Sequence, residues 1–584
     1  MSSSEHPLTG WTARNRGFAF ICAITVLALA LRLVGLGTRF AHWDEARVGY
    51  WILRYQETGV WNYYPPIHGP FFPQVNSILF ELFGASDFVA RLPVALVTGL
   101  VPLAAWLYRD HLSDSEMVAF AFFLAVNPVV LYYSRFMRYD VLLAAFMVFA
   151  LGFYLRAQAT GKARYLYAGT AALALGFTTK ENAILYVLAW LGALVLLFDH
   201  RLLLSRNHDR EWTETFVDTT KETGRGLLRF APYIFVALVE FFVIIVYFYA
   251  PRANGTSGPG LWKAFGQPSM FGAVVAEATV GTWDKFTGQW VTSQGHAYLP
   301  FLRHFITVLE QGAIVVVLLS VVGFLAARYV DDRPRDLVSF AFYWGVVSIL
   351  GYPLVTDIQA GWVTVHAIVP LMIPAAVGAG IIYRWGREAY EDDDRVGTTA
   401  TIVISLVLVV LILFPATTVV YMHPQDPDTP SVFGGQRHND IVQWGQPAAG
   451  IKSTMEKVQQ VSKANEGGTD VLYYGYVDDQ SNYVFYVPDE SSNDGPPPAA
   501  SGWYNRLPLP WYTEMANASV GSTLDNESLK TRQPPVVITR TSREGDVAKY
   551  LDGYRAYRHD LTLWGAPTTI YIKKSALRKA NQAE

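Results

Sequence analysis

Acidic and basic residues stand together at three places where apolar runs meet short polar segments: Asp44 with Glu45, Arg138 close before Asp140, and Lys180 with Glu181. Ionisable groups at a hydrocarbon boundary are costly, and apolar sequence on both sides keeps them from drifting into water, so their clustering points to a site. A carboxylate at that depth can take a proton from an acceptor hydroxyl or amide, while cations neutralise a departing phosphate. Asp44 suits the base; Arg138 and Lys180 suit the phosphate. Glu45 and Asp140 can orient these groups or serve as hard-oxygen ligands for Mg²⁺ or Mn²⁺. His42 precedes the acidic pair, His68 lies between prolines in Pro65-Pro66-Ile67-His68-Gly69-Pro70, and His366 lies just inside an apolar run, where burying a polar ring needs a reason.

Each of these residues also has a plainer use. Acidic residues stabilise a helix N-terminus by about 0.3–1 kcal/mol, which alone would account for Asp44-Glu45. Arg138 and Asp140 can pair with each other, as can Lys180 and Glu181. Trp43, Trp51 and Trp61 read as members of an interfacial aromatic belt before they read as a sugar platform.

The elements that must hold these residues follow from composition. The chain of 584 residues is 52% hydrophobic and 16% charged, and apolar runs recur through its first 420 or so positions. This excludes a soluble domain and predicts an α-helical polytopic membrane protein with about 11 spans. They are placed near 17–36, 88–108, 117–133, 141–155, 165–177, 183–198, 231–249, 305–327, 338–355, 363–383 and 399–422. With the N-terminus cytoplasmic, Arg109, Lys162 with Arg164, Arg201 through Arg225, Arg328 with Arg335, and Arg384 with Arg387 all fall inside, as the positive-inside rule asks. The three charged pairs then share the outer face of the cell membrane. Net charge of −3 with scattered basic residues excludes a nucleic acid partner, and the single Cys22 excludes a disulfide framework.

Residues 1–422 are thus read as a transmembrane domain whose first outer loop, about 37–87, is too long and too aromatic for a connector. Its stretch Glu45 to Glu57 is expected to form a helix in the interface, apolar face toward the acyl chains. Residues 423–584 change to a composition rich in Asp, Pro, Asn and Gly and form an extracellular soluble α/β domain, with a helix near 451–464 and strands near 471–476, 536–539 and 568–572. Residues 491–501 read as an irregular loop. Sequons at Asn254, Asn517 and Asn526 all fall outside.

The segments Pro65-Pro66-Ile67-His68-Gly69-Pro70, Ala90-Arg91-Leu92-Pro93, Ser134-Arg135-Phe136-Met137-Arg138-Tyr139-Asp140 and Thr178-Thr179-Lys180-Glu181-Asn182 resemble the dolichyl-phosphate-mannose protein mannosyltransferase superfamily, membrane enzymes of the GT-C fold. The whole chain, with Trp362, His366 and Pro370 leading its tenth span, is similar to the archaeal flippase-activity-associated membrane proteins within it. The resemblance implies Asp44 as catalytic base, Asp140 as the second acidic position handling metal or lipid phosphate, and Lys180 facing the carrier phosphate. His366 is expected on the phosphate side and His42, His68, Glu181 and Trp362 as secondary contacts; the resemblance supplies no counterpart for Glu181, whose role stays open.

The expected function is transfer of a sugar from a polyprenyl (dolichyl) phosphate carrier to an extracytoplasmic glycan, lipid or protein acceptor. The alternative is a non-catalytic factor that helps a lipid-linked sugar cross the bilayer; it would use the same cations without needing Asp44 as a base. An outward-facing receptor ranks last, because the chain has no sizeable cytoplasmic domain.

Overall fold

The computed structural model describes residues 13–206, 212–253, 258–290, 296–330, 334–432, 434–443, 445–490, 501–563 and 565–583. The sequon at Asn254 and nearly all of the 491–501 loop lie outside them. All eleven apolar segments are helical, and eight stretches are long and apolar enough to cross a membrane: Arg16–Leu33, Asp87–Tyr108, Tyr139–Thr160, Leu228–Tyr249, Tyr298–Tyr329, Asp336–Val355, Gly361–Glu391 and Arg395–Met422. Ala183–Asp199 is apolar but shorter, and helices Asp114–Val126 and Ala163–Thr179 are shorter too. The segment expected as one span over 117–133 is two helices. Pro128 disfavours helical geometry at Asn127, whose side chain instead accepts the Val130 N–H at 3.2 Å and starts Pro128–Tyr133.

The protein is a multi-pass membrane protein, and two spans make its centre. Tyr139–Thr160 and Gly361–Glu391 are the most buried of the eight, consistent with sequences that are apolar on every side. Their N-terminal ends lie together and carry Asp140 and His366.

The first outer loop contains two helices, Trp43–Thr58 and Phe71–Phe83. The apolar face of Trp43–Thr58, expected against acyl chains, is covered by protein. Val48, Gly49, Tyr50 and Ile52 are buried, and the helix packs on Phe71–Phe83 and on Leu509–Met515 from the C-terminal region. Gly49 makes that contact possible, since a Cβ there would fall 2.7 Å from the Trp511 ring.

The C-terminal region holds a five-stranded sheet in the order Tyr554–Thr562, Gly565–Lys573, Val536–Arg540, Val471–Tyr474, Val520–Thr523. The first two pairings are antiparallel and the last two parallel. Helix Ile451–Lys463 and three of the strands stand where the apolar pattern predicts them; Val520–Thr523 and the polar edge strand Tyr554–Thr562 are additional. One apolar core continues from Phe40, Val48 and Phe72 of the membrane portion to Trp503, Trp511, Val536 and Ile570. At this junction buried Asp87 accepts from Trp511 Nε1 at 3.1 Å and Tyr512 OH at 3.0 Å and pairs with Lys452 at 3.2 Å.

Candidate active site

Arg138 enters the span Tyr139–Thr160 as an extended N-cap, so Asp140 sits in the first turn, where the helix dipole favours negative charge. Lys180, the residue following helix Ala163–Thr179, places Nζ 2.9 Å from Asp140 Oδ1, and His366 Nε2 is 3.2 Å from the same oxygen. His366 is itself held: Tyr186 OH is 2.7 Å from Nδ1, Asn182 Nδ2 is 3.3 Å from Nε2, and the Tyr352 ring stacks on it at 4.6 Å. Three expected residues, distant in sequence, therefore share one buried point.

Arg138 extends this cluster to the first outer loop. Its Nη1 donates to Asp44 Oδ2 at 2.6 Å, while its Nε lies 3.9 Å from Asp140 Oδ2. The Trp362 ring supports the guanidinium at 3.6 Å, a cation–π contact that fixes its plane. Arg47, one turn along the same helix, donates to Asp44 Oδ1 at 3.1 Å. Burial alone would raise the Asp44 pKa, but Arg138 and Arg47 overcome it and hold the carboxyl well below the usual range. Asp44 remains 24% exposed, against 2% for Asp140. His42 does not share this access. It is fully buried, its Nδ1 accepts the Asp44 N–H at 3.0 Å, and burial pushes its pKa down to about 3, so it is a neutral ring setting the helix start.

Glu45 is held from several sides. Arg91 grips both its oxygens, Nε to Oε1 at 2.8 Å and Nη2 to Oε2 at 2.9 Å. The Met137 N–H donates to Oε1 at 2.7 Å, the His42 N–H to Oε2 at 2.9 Å in a capping box, and Arg39 approaches Oε2 at 3.4 Å. Burial would raise its pKa, yet Arg91 and Arg39 bring it to about 2. A carboxylate so occupied is a positioning residue: it locks the loop between the first two spans to the chain just before Arg138. Among the described residues no three His, Cys, Asp or Glu side chains are grouped to hold an ion; Asp44 pairs with Arg138 and Asp140 Oδ1 with Lys180.

His68 and Glu181 form a second, adjoining group. His68 Nδ1 is 3.0 Å from Glu181 Oε2, and Tyr63 OH donates to Oε1 at 2.6 Å. Although burial would raise the pKa of Glu181, His68 and the Tyr63 hydroxyl bring it below the ordinary value. Gly69 seats the proline-rich turn here: its N–H donates to Thr179 O at 3.0 Å, and a Cβ would fall 2.2 Å from Thr178 O. The turn thus braces the residues around Lys180. Sequence reasoning gave no role to Arg47, Arg91, Asn182, Tyr63 or Tyr186. Arg47 was legible as a helix neighbour three residues from Asp44, Asn182 as part of the Lys180 segment and Arg91 as part of Ala90-Arg91-Leu92-Pro93; nothing local marks Tyr63 or Tyr186.

Residues 67–209 match the family described as dolichyl-phosphate-mannose-protein mannosyltransferase, and residues 451–573 match the Agl23 flippase-associated protein C-terminal domain. No curated protein is a significant match to the sequence. Among solved structures, apo ArnT from Cupriavidus metallidurans aligns with a TM-score of 0.53 at 15% identity, over 96% of this chain and 99% of that one. ArnT bound to undecaprenyl phosphate aligns with 0.51 at 16% identity over the same shares. Archaeal oligosaccharyltransferase AglB from Archaeoglobus fulgidus, in complex with an inhibitory peptide and a dolichol-phosphate, gives 0.50 at 12% identity over 97% and 75%. At such identities the likeness is one of fold, the GT-C arrangement.

Proposed function

We propose that this chain, which matches the dolichyl-phosphate-mannose-protein mannosyltransferase family over residues 67–209 and the Agl23 flippase-associated C-terminal domain over residues 451–573, transfers a sugar from a polyprenyl-phosphate carrier to an acceptor on the outer side of the cell membrane. The N-terminus is cytoplasmic and the C-terminal domain outside. The observation that carries this reading is the bridge made by Arg138 between partly exposed Asp44 and buried Asp140, with Lys180 completing it.

That bridge gives the reaction its order. The carrier phosphate draws on Arg138 and Lys180, the two cations within reach, while Asp140 and His366 keep Lys180 aimed and Trp362 keeps Arg138 flat. Once Arg138 serves the phosphate, Asp44 loses the nearest charge holding its pKa down and becomes a better base. An acceptor hydroxyl then attacks the anomeric carbon as the bond from that carbon to the phosphate oxygen breaks. The hydroxyl proton goes to Asp44, and the electron pair leaves with the polyprenyl phosphate, which the two cations stabilise. Base and leaving group on opposite faces give inversion at the sugar.

Sugar transfer in reconstituted vesicles supplied with labelled polyprenyl-phosphate sugars tests this. Asp44→Asn is expected to lower transfer by about 100- to 10,000-fold, the range for a lost general base, with carrier binding retained. The matched flippase-associated domain favours one rival, a non-catalytic aid to translocation. Protein-dependent movement of the lipid-linked sugar between leaflets, with no transfer by the wild type, would establish that rival instead.

A further inference from the structure

A second cationic site lies at the outer end of the first span, and neither Asp44 nor Glu45 lines it. Val34, Thr38, Arg39, Arg135, Val420 and Tyr421 help line a cleft of about 150 Å³, and no carboxylate lines it. Among the described residues Arg135 donates only to main-chain carbonyls, those of Leu31 at 2.8 Å and Arg32 at 3.0 Å, and its guanidinium lies 5.0 Å from the centre of the Tyr421 ring. Arg39 shares the already doubly bonded Glu45 with Arg91 at 3.4 Å, donates to the Arg135 carbonyl at 3.1 Å and lies over the Phe136 ring, and its Nε is buried without an acceptor among the described residues. Beneath them Arg32 is fully buried and, among the described residues, bonded only to Thr98 and to the carbonyls of Ala28, Leu124 and Ala125. Arg39 and Arg91 therefore share one carboxylate, Glu45, while Arg32 and Arg135 have no carboxylate partner among the described residues. An arginine at the cleft without a counter-charge calls for an outside anion.

The position says which kind. The cleft opens where helix Ala13–Leu33 ends and where Arg395–Met422 ends, and both spans are largely unburied within the protein, so their flanks face lipid. Val34 and Tyr421 are exposed at its rim. In a bilayer this is headgroup depth, and a phosphate presented there would meet the partly exposed Arg135 guanidinium while its acyl or prenyl chains ran along the two spans. We infer that this cleft holds the phosphate of an anionic membrane lipid, separately from the carrier phosphate at Arg138 and Lys180.

The test is retention of phosphatidylglycerol by the full chain purified in a neutral detergent, read by native mass spectrometry and by titration, for the wild type and for Arg135→Gln, Arg135→Lys and Lys180→Gln. Arg135→Gln is expected to weaken binding by roughly tenfold or more, the effect of losing one charge-assisted hydrogen bond. Arg135→Lys, which keeps the charge and so guards against simple misfolding, is expected to restore most of it, and Lys180→Gln to leave it unchanged. Equal binding by Arg135→Gln and the wild type would overturn the inference, as would loss in Lys180→Gln alone, which would put the lipid at the proposed catalytic centre. Full displacement by millimolar inorganic phosphate would overturn the lipid assignment and make the site one for free phosphate.

Discussion

Asp44 and Glu45 are consecutive acids at the start of one helix, and their surroundings could hardly differ more. Glu45 points inward, 3% exposed, with a bidentate arginine and two main-chain donors on its oxygens. Asp44 points to the rim, 24% exposed, and its partners are two arginine side chains that substrate charge can draw away. Successive helix positions are separated by about 100°, so adjacency in sequence places the two carboxylates on different faces. Identical chemistry is thereby divided: one acid fixes the geometry and the other stays available to react.

The widest separation between them is expected in which property each controls. Asp44→Asn should abolish most transfer while leaving the unfolding transition close to that of the wild type. Glu45→Gln should instead destabilise the fold by about 3–5 kcal/mol, because it leaves Arg91 buried and without its counter-charge. Thermal unfolding of both variants checks this; equal destabilisation by the two would erase the division.

Acid sharpens the same contrast. The folded Glu45 pKa of about 2 lies below its ordinary 4.5, so between those values the unfolded chain binds the extra proton. Stability is therefore fully present above about pH 4.5 and is lost as pH falls toward 2, by an amount on the order of 3 kcal/mol. Unfolding measured across that window should show this loss in the wild type and a smaller one in Glu45→Gln. Arg138→Lys comes next in size. A lysine keeps the charge but cannot offer a phosphate a planar fork or lie flat on Trp362, so carrier affinity should fall about tenfold, as measured by direct carrier binding.

How far this division could be read beforehand depends on the residue. Asp140, Lys180 and His366 were legible because an ionisable side chain at the mouth of an apolar span is conspicuous, and alternating spans bring those mouths to one side. Glu45 was not, because its partner is Arg91, whose approach depends on how the second span packs against the first. The same limit explains the Trp43–Thr58 helix. Its amphipathic pattern fits a lipid surface or a protein surface equally well, and only the position of Trp511 decides between them. In the C-terminal sheet, the apolar strands Val471–Tyr474 and Val536–Arg540 declare themselves, whereas Tyr554–Thr562 carries Arg555, Arg558, His559 and Asp560 on an exposed edge and hides among loop-like residues.

The smallest predicted effect is also the most selective probe of Asp44. Arg47 lies one turn along the helix, donates at 3.1 Å, and adds to Arg138 in holding the Asp44 pKa down. As a partly exposed pair within one helix it is worth about 0.3–0.5 kcal/mol to stability, so Arg47→Gln should fold almost as the wild type does. Removing that positive charge makes the Asp44 proton harder to lose, which moves its pKa upward. The acidic limb of the pH profile of kcat/KM, which reports the free enzyme's base, should accordingly shift to higher pH by up to about one unit, with the plateau little changed. A limb that stays in place would mean that the base in this reaction is some group other than Asp44, even if Asp44→Asn is inactive.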